Sequence, residues 1–172
     1  MLGDIERVLA ALNAAGVQYL VVGGVAVVLH GHLRTTADLD LVIRLERDNV
    51  LRAMRALTAL GYRPRAPVPA EAFADQEVRE TWVREKGLSV FSLWSSLAPA
   101  LEVDLFATEP FDFGEVHARA LQVPLETTVA WVVSLPDLIA LKRQVRRPRD
   151  LEDIEALRAL EADDESESES GT

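Results

Sequence analysis

The sequence predicts an α/β (α+β) domain: a mixed, twisted sheet flanked by helices, with further helices at the C-terminal end. Three observations predict it. Short β-branched apolar runs alternate with stretches of helical spacing. Two segments, "DLDLVI" (38–43) and "EVDLF" (102–106), alternate acid and aliphatic as half-buried strands do. From residue 134 onward the pattern is helical only.

Taken in order, "IERVLAALNAAG" places Ile5, Val8, Leu9 and Leu12 at helical spacing, and Gly16 ends the run. "VQYLVV" (17–22) is a β-rich run. "GGVAVVLHGH" (23–32) fits strand or helix by periodicity alone, and its two leading glycines favour a tight strand-to-helix turn. "DLDLVIR" (38–44) is a strand with both acids on one face. "DNVLRAMRALTALG" (48–61) is an amphipathic helix with Asp48 as N-cap and Gly61 as stop. Pro64, Pro67 and Pro69 mark residues 64–76 as a loop. "ETWVRE" and "LSVFSLW", joined at Lys86-Gly87, read as a hairpin. "LEVDLFA" (101–107) is a strand, "FDFGEVHARA" (111–120) a short helix, and "LQVPLETTVAWVV" (121–133) one or two strands. Ser134 as N-cap with Pro136 just inside opens a helix over "SLPDLIALKRQV", and "RPRDLEDIEALRALE" is the terminal helix.

Composition narrows the function. The 172 residues are 49% hydrophobic, enough for one domain with a real core. The formal net charge is −10, but the six acids of "EADDESESESGT" (161–172) account for all but four of those charges. The expected division is therefore a domain over 1–160 and a disordered acidic tail over 161–172, which has almost nothing apolar to bury. The mild charge of the body does not exclude a nucleic-acid partner. There is no cysteine, so disulfides and thiolate metal sites are excluded, as fits a reducing cytoplasm. Residues 8–33 carry no Asp, Glu, Lys or Arg, yet Asn13, Gln18, His30 and His32 interrupt them. The unbroken apolar part, Tyr19 to Leu29, is shorter than the ~18 residues of a spanning helix. The expectation is a soluble, cytoplasmic protein with no membrane partner.

The carboxylates carry the chemistry. Asp38 and Asp40 sit two residues apart within an apolar strand. Like charges buried together without a partner are costly, and a divalent cation, which prefers oxygen ligands, relieves them. Asp104, in a second apolar strand, is a third acid that a neighbouring strand would bring alongside; Glu102 is its rival on the same face. Three carboxylates on adjacent strands suit a two-metal site. Gly23 and Gly24 would form a turn whose backbone N–H groups face an anion. A triphosphate between that turn and metals on Asp38 and Asp40 is a geometry for phosphoryl or nucleotidyl transfer.

"GG" followed by "DLDL" and a later "VDLF" resembles the polymerase-beta-type nucleotidyltransferase superfamily. The longer block "GGVAVVLHGHLRTTADLDL", with "DLIALKRQVRRPRDLEDIEAL", resembles the small bacterial nucleotidyltransferases grouped with AbiEii-type toxins of toxin–antitoxin systems. The likeness spans residues 15–44, 101–106 and 134–160. It implies a minimal nucleotidyltransferase fold, two Mg²⁺ ions on Asp38, Asp40 and Asp104, and Asp104 assisting deprotonation of the attacking hydroxyl. It implies that Gly23 and Gly24 hold the outer phosphates of an NTP. Many relatives carry a hydroxyl residue at the second glycine or just after it. Here Gly24 is followed by Val25, which leaves that work to backbone amides.

Among the bases, Arg34 lies between the turn and the acidic strand, within reach of a phosphate. "KRQVRRPR" (142–149) packs five bases into eight positions, and Lys142 is its best phosphate ligand. Thr36 steadies the loop, and Asp150 caps the last helix. His30 and His32, at i and i+2, do not share a helix face and make no metal site. Trp82, Trp94 and Trp131 are core or interface residues. The leading expectation is a toxin that moves an NMP from an NTP to a hydroxyl of RNA (tRNA) or protein and is paired with an antitoxin. One alternative is an antibiotic nucleotidyltransferase of the aminoglycoside or lincosamide type; another is a non-catalytic nucleotide-binding module. A basic rim of Arg143, Arg146, Arg147 and Arg149 would favour RNA, and an acidic cleft would favour a cationic drug.

Overall fold

The computed structural model describes residues 1–145 and 148–170. In chain order the elements are α1 (Leu2–Ala14), β1 (Tyr19–Val22), α2 (Gly23–Leu29), β2 (Asp38–Ile43), α3 (Arg47–Ala59), β3 (Arg63–Pro64), a 3-10 turn (Ala70–Ala74), α4 (Gln76–Lys86), β4 (Val90–Trp94), β5 (Glu102–Phe106), α5 (Phe113–Ala118), β6 (Leu121–Pro124), β7 (Val129–Val132), α6 (Leu135–Val145) and α7 (Pro148–Ser170). The seven strands form one sheet in the order β3-β4-β5-β2-β1-β7-β6. It is mixed: β2–β5 and β1–β7 run parallel, and the remaining pairs antiparallel.

Hydrophobic burial places the middle of the sheet. All four residues of β1 are fully buried, as are Leu39 and Leu41 of β2 and Val103 and Leu105 of β5. Each such side chain contributes roughly 1.5–3 kcal/mol on leaving water. The helical faces expected in α1 and α3 are the buried ones: Ile5, Val8, Leu9 and Leu12, and Val50, Ala53, Met54 and Leu57. Polar groups fix the register. Asn49 is buried and fully engaged; its Nδ2 donates to Gln18 O (3.0 Å) and Arg44 O (2.9 Å), and its Oδ1 accepts from Gln18 N (2.8 Å). It clamps the entry to β1 to the exit from β2. Arg79, also buried, donates to Phe73 O at 2.7 Å and holds the 3-10 turn.

Three local expectations are corrected. "ETWVRE" is not the first strand of a hairpin but part of helix α4. Asp75 caps it by accepting from Val78 N at 3.1 Å, and Gly87, with φ +63°, closes it in the left-handed conformation. Trp82 faces Phe91 from that helix at 5.8 Å, so its burial does not need a strand. The N-cap of α3 is Glu46, with Asp48 in the first turn. The 64–76 loop contains β3 at its start and the 3-10 turn. Lastly in the chain, α7 runs through the acidic segment to Ser170. Residues 162–168 are exposed, so that part of the helix adds no core. Gly171 and Thr172 lie outside the described residues. Ser134 caps α6 as expected: its Oγ accepts from Asp137 N at 3.3 Å.

Candidate functional site

Strand register brings the acids together. Asp40 lies opposite Asp104 across the β2–β5 pair, and Asp38 lies opposite Glu102. Residues directly opposite on neighbouring strands project from the same face of a sheet. Asp38, Asp40, Glu102 and Asp104 therefore share one face, while Leu39, Leu41, Val103 and Leu105 alternate with them into the core. β2 and β5 sit in the middle of the sheet, not at its edge.

The next strand supports Asp104. Ser92 on β4 is its cross-strand neighbour, and Ser92 Oγ donates to Asp104 Oδ1 at 2.5 Å. Burial pushes the Asp104 carboxyl above its ordinary value; the Ser92 bond and Arg65 oppose this, and the charges of Asp38 and Glu102 add to it. Glu102 is already engaged. Arg65 forks onto it, with Nε to Oε1 at 2.8 Å and Nη2 to Oε2 at 2.9 Å, and this bond holds its carboxyl below the usual range. That pairing separates the two rivals: Asp104 faces the other aspartates, and Glu102 faces a base.

The glycine corner closes on the same acids. Gly23 has φ +65°, which L side chains rarely adopt. A Cβ there would stand 2.7 Å from Asp40 Cγ, so the backbone leans directly against that carboxylate. A Cβ on Gly24 would stand 2.7 Å from Thr36 Oγ1 and 3.3 Å from Arg34 Cζ. Thr36 in turn donates to Asp38 O at 3.2 Å, which steadies the loop into β2. A cleft of about 430 Å³ opens over this face. Its walls include Gly23, Gly24, Asp38, Asp40 and Asp104, together with Arg34, Lys142, Arg149 and Asp150, and with Ser89, Val90 and Phe106.

The bases are held by an acid that sequence reasoning missed. Asp153 of α7 accepts from Lys142 Nζ at 2.8 Å and from Arg34 Nη1. Asp150 is not the cap expected of it but lies within the first turn of α7, with its Oδ1 3.4 Å from Lys142 Nζ. Nothing in the local pattern of "RDLEDIEAL" distinguishes Asp153 from its neighbours; only the packing of α6 on α7 does. Arg143 is exposed on α6, and Arg146 and Arg147 lie outside the described residues; among the described residues of the expected basic rim, Arg149 lines the cleft. His30 Nε2 lies 2.8 Å from Val133 O.

The donor set suits a hard divalent cation: carboxylate oxygens on adjacent positions of one face, open to a cleft. Among the described residues no three His, Asp or Glu side chains stand close enough to hold an ion as they are placed. Adjacent strands are ~4.8 Å apart and alternate residues ~6.7 Å, so a shared cation would require these carboxylates to change rotamer. Among the described residues no helix is long and apolar enough to cross a membrane.

No protein-family model matches the chain, and no curated protein matches it. Solved structures do. The chain is similar to ANT(2″)-Ia in complex with adenylyl-2″-tobramycin, at 15% identity over 97% of this chain and 98% of that one, with a TM-score of 0.56. The solution structure of the same antibiotic-resistance factor matches at 16% identity over 98% and 95%, with a TM-score of 0.54. The lincosamide antibiotic adenylyltransferase LnuA, lincomycin-bound, matches at 15% identity over 92% and 96%, with a TM-score of 0.60. At such identities the likeness establishes a common fold, a mixed sheet with flanking and C-terminal helices.

Proposed function

We propose that the chain is a Mg²⁺-dependent nucleotidyltransferase that moves an NMP from an NTP to an acceptor hydroxyl and releases pyrophosphate. The observation that carries this reading is the register of β2 and β5: it sets Asp104 beside Asp40, on the face that the Gly23–Gly24 corner overhangs. The nucleotidyltransferase resemblance of "GG…DLDL…VDLF" and the fold shared with two adenylyltransferases support it.

Asp38, Asp40 and Asp104 would hold two Mg²⁺ ions, which when bound screen the carboxylates and stabilise the charge that develops on the phosphates. Backbone amides of the Gly23–Gly24 corner, with Arg34 and Lys142, bind the β- and γ-phosphates. α2 is only seven residues long, so the N–H groups of its first turn act here more than a macrodipole does. Asp104 accepts the proton of the acceptor hydroxyl on the carboxylate oxygen that Ser92 does not hold. The freed oxygen attacks the α-phosphorus as the bond to the β-phosphate oxygen breaks, and pyrophosphate leaves with that electron pair.

For the acceptor, we infer a small hydroxylated molecule. Both shared-fold enzymes act on antibiotics by their descriptions and match nearly end to end, and the cleft wall includes Ser89, Val90 and Phe106 beside its charged residues. A second reading is a toxin acting on RNA or protein with an antitoxin partner. The AbiEii-like sequence block and Arg149 at the cleft support it. One experiment separates them. Purified protein is incubated with Mg²⁺, each α-labelled NTP, and in parallel an aminoglycoside and lincosamide panel, total RNA, and a protein lysate. Label on the small molecules is expected; label on RNA or protein supports the toxin, and EDTA should abolish either. No label in any arm, with NTP binding retained, leaves a binding module.

A further inference from the structure

Three segments distant in sequence meet at a single oxygen. Asp153 Oδ2 accepts from Arg34 Nη1, in the connection before β2, and from Lys142 Nζ, in α6, at 2.8 Å for the lysine. Asp153 and Lys142 are 5% and 6% exposed. α7 is anchored beside them by Ile154 and Leu157, both buried. The oxygen is therefore fixed by packing, not by the cations it binds.

The placement of these groups about the cleft is unequal. Arg34 and Lys142 line it; Asp153 does not. The carboxylate stands behind its two bases as seen from the cleft. Two cations drawn to one point repel, and the anion between them cancels that repulsion. A guanidinium offers five N–H donors and an ammonium three, so bonds to Asp153 and Asp150 leave donors for a phosphate. Arg34 also lies over Gly24, where a Cβ would be 3.3 Å from its Cζ. A buried ion cluster of purely structural use has no reason to present both cations to the cleft that the glycine corner and the aspartates share.

We infer that Asp153 is the positioning residue of the phosphate-binding wall. It touches no substrate. It holds Arg34 and Lys142 as a pair spaced to share a triphosphate, and so makes α7 part of the nucleotide site. This rests on the nucleotidyl-transfer reading above.

The full chain tests it by equilibrium dialysis of each Mg-NTP, together with KM and kcat for whichever acceptor takes label. Asp153→Asn keeps the shape and removes the charge. Its NTP affinity is expected to fall about tenfold, in line with loss of a charge-assisted bond to each base. KM for NTP should rise with it, while kcat at saturating NTP changes little, because the loss is of uniform binding. In an Arg34→Gln/Lys142→Met background the same substitution should cost nothing further, because Asp153 acts only through those side chains. Unchanged NTP affinity in Asp153→Asn, or an equal loss in both backgrounds, overturns the inference while leaving the enzyme reading intact. A wild-type chain that binds none of the four Mg-NTPs overturns that reading and the inference with it. Should Asp153→Asn fail to fold, the pair Asp153→Leu/Lys142→Met removes both buried charges at once. It should bind NTP more weakly than Lys142→Met alone, since Arg34 has lost its anchor; equal affinity overturns the proposal.

Discussion

Asp40 has the Gly23 backbone on one side and Asp104 across the strand pair on the other. The facing carboxylates of Asp40 and Asp104 repel each other, which opposes folding and serves binding. Asp40→Asn is therefore expected to lower transfer by at least about a hundredfold, the scale of losing one preorganised electrostatic group, with a melting temperature no lower than wild type. Parallel calorimetry and label transfer check both halves. Gly23 answers a different constraint. Gly23→Ala adds a Cβ at a positive φ and drives it into Asp40. It should cost about 1–3 kcal/mol, the usual cost of a strained backbone site, read as a lower urea midpoint together with lost NTP binding. The two substitutions thus part company: one leaves the fold and stops the chemistry, the other harms both.

At the scale of elements, polar clamps decide how strands and helices meet. Asn49 joins the entrance of β1 to the exit of β2, and those strands carry the glycine corner and the acidic pair. Asn49→Ala removes three hydrogen bonds to backbone groups and should cost about 2–4 kcal/mol in chemical denaturation. The start of α6 is held by another polar contact. Arg119 forks onto Asp137, at 2.7 and 2.8 Å, and Ser134 Oγ donates to the same carboxylate at 2.5 Å. The Arg119 bond, ahead of that from Ser134, holds the Asp137 carboxyl below its ordinary value. A depressed folded pKa contributes stability that is fully present above the unfolded value of ~3.9. It is lost as pH falls from there through the folded pKa. Asp137→Asn should therefore lower stability at neutral pH and flatten the acid limb of the stability–pH curve below pH ~4. Denaturant midpoints between neutral and acid pH measure it.

For the whole molecule, the core runs through the sheet, and α7 contributes to it through Ile154 and Leu157. Beyond Leu160 the helix is acidic and exposed over 162–168. Deleting residues 162–172 should shift the melting temperature by no more than about 2 °C, as expected when only surface is lost, and should leave NTP affinity unchanged. Truncation before α7 is a different matter, since it removes Asp153 and the packing of Ile154 and Leu157.

Much of the fold was legible because periodicity reports burial directly. Ile5, Val8, Leu9 and Leu12 announce their helix, and the acid–aliphatic alternation of 38–43 and 102–106 announces two strands. "ETWVRE" misled because its β-branched and aromatic residues, in so short a run, fit a strand, while the deciding signals lay outside it: Asp75 as cap and Gly87 as stop. The candidate site divides along the same line. The sequence by itself determined that Asp38 and Asp40 share a face, since a strand repeats every two residues, and its paired glycines favoured a strand-to-helix turn, which the structure realises with Gly23 as the first residue of α2. Only the tertiary structure decided that Asp104 lies beside Asp40, that Arg65 engages Glu102, and that Asp153 gathers Arg34 and Lys142. Each of those joins residues many positions apart, and strand order and helix packing, which no local pattern encodes, bring them within bonding distance.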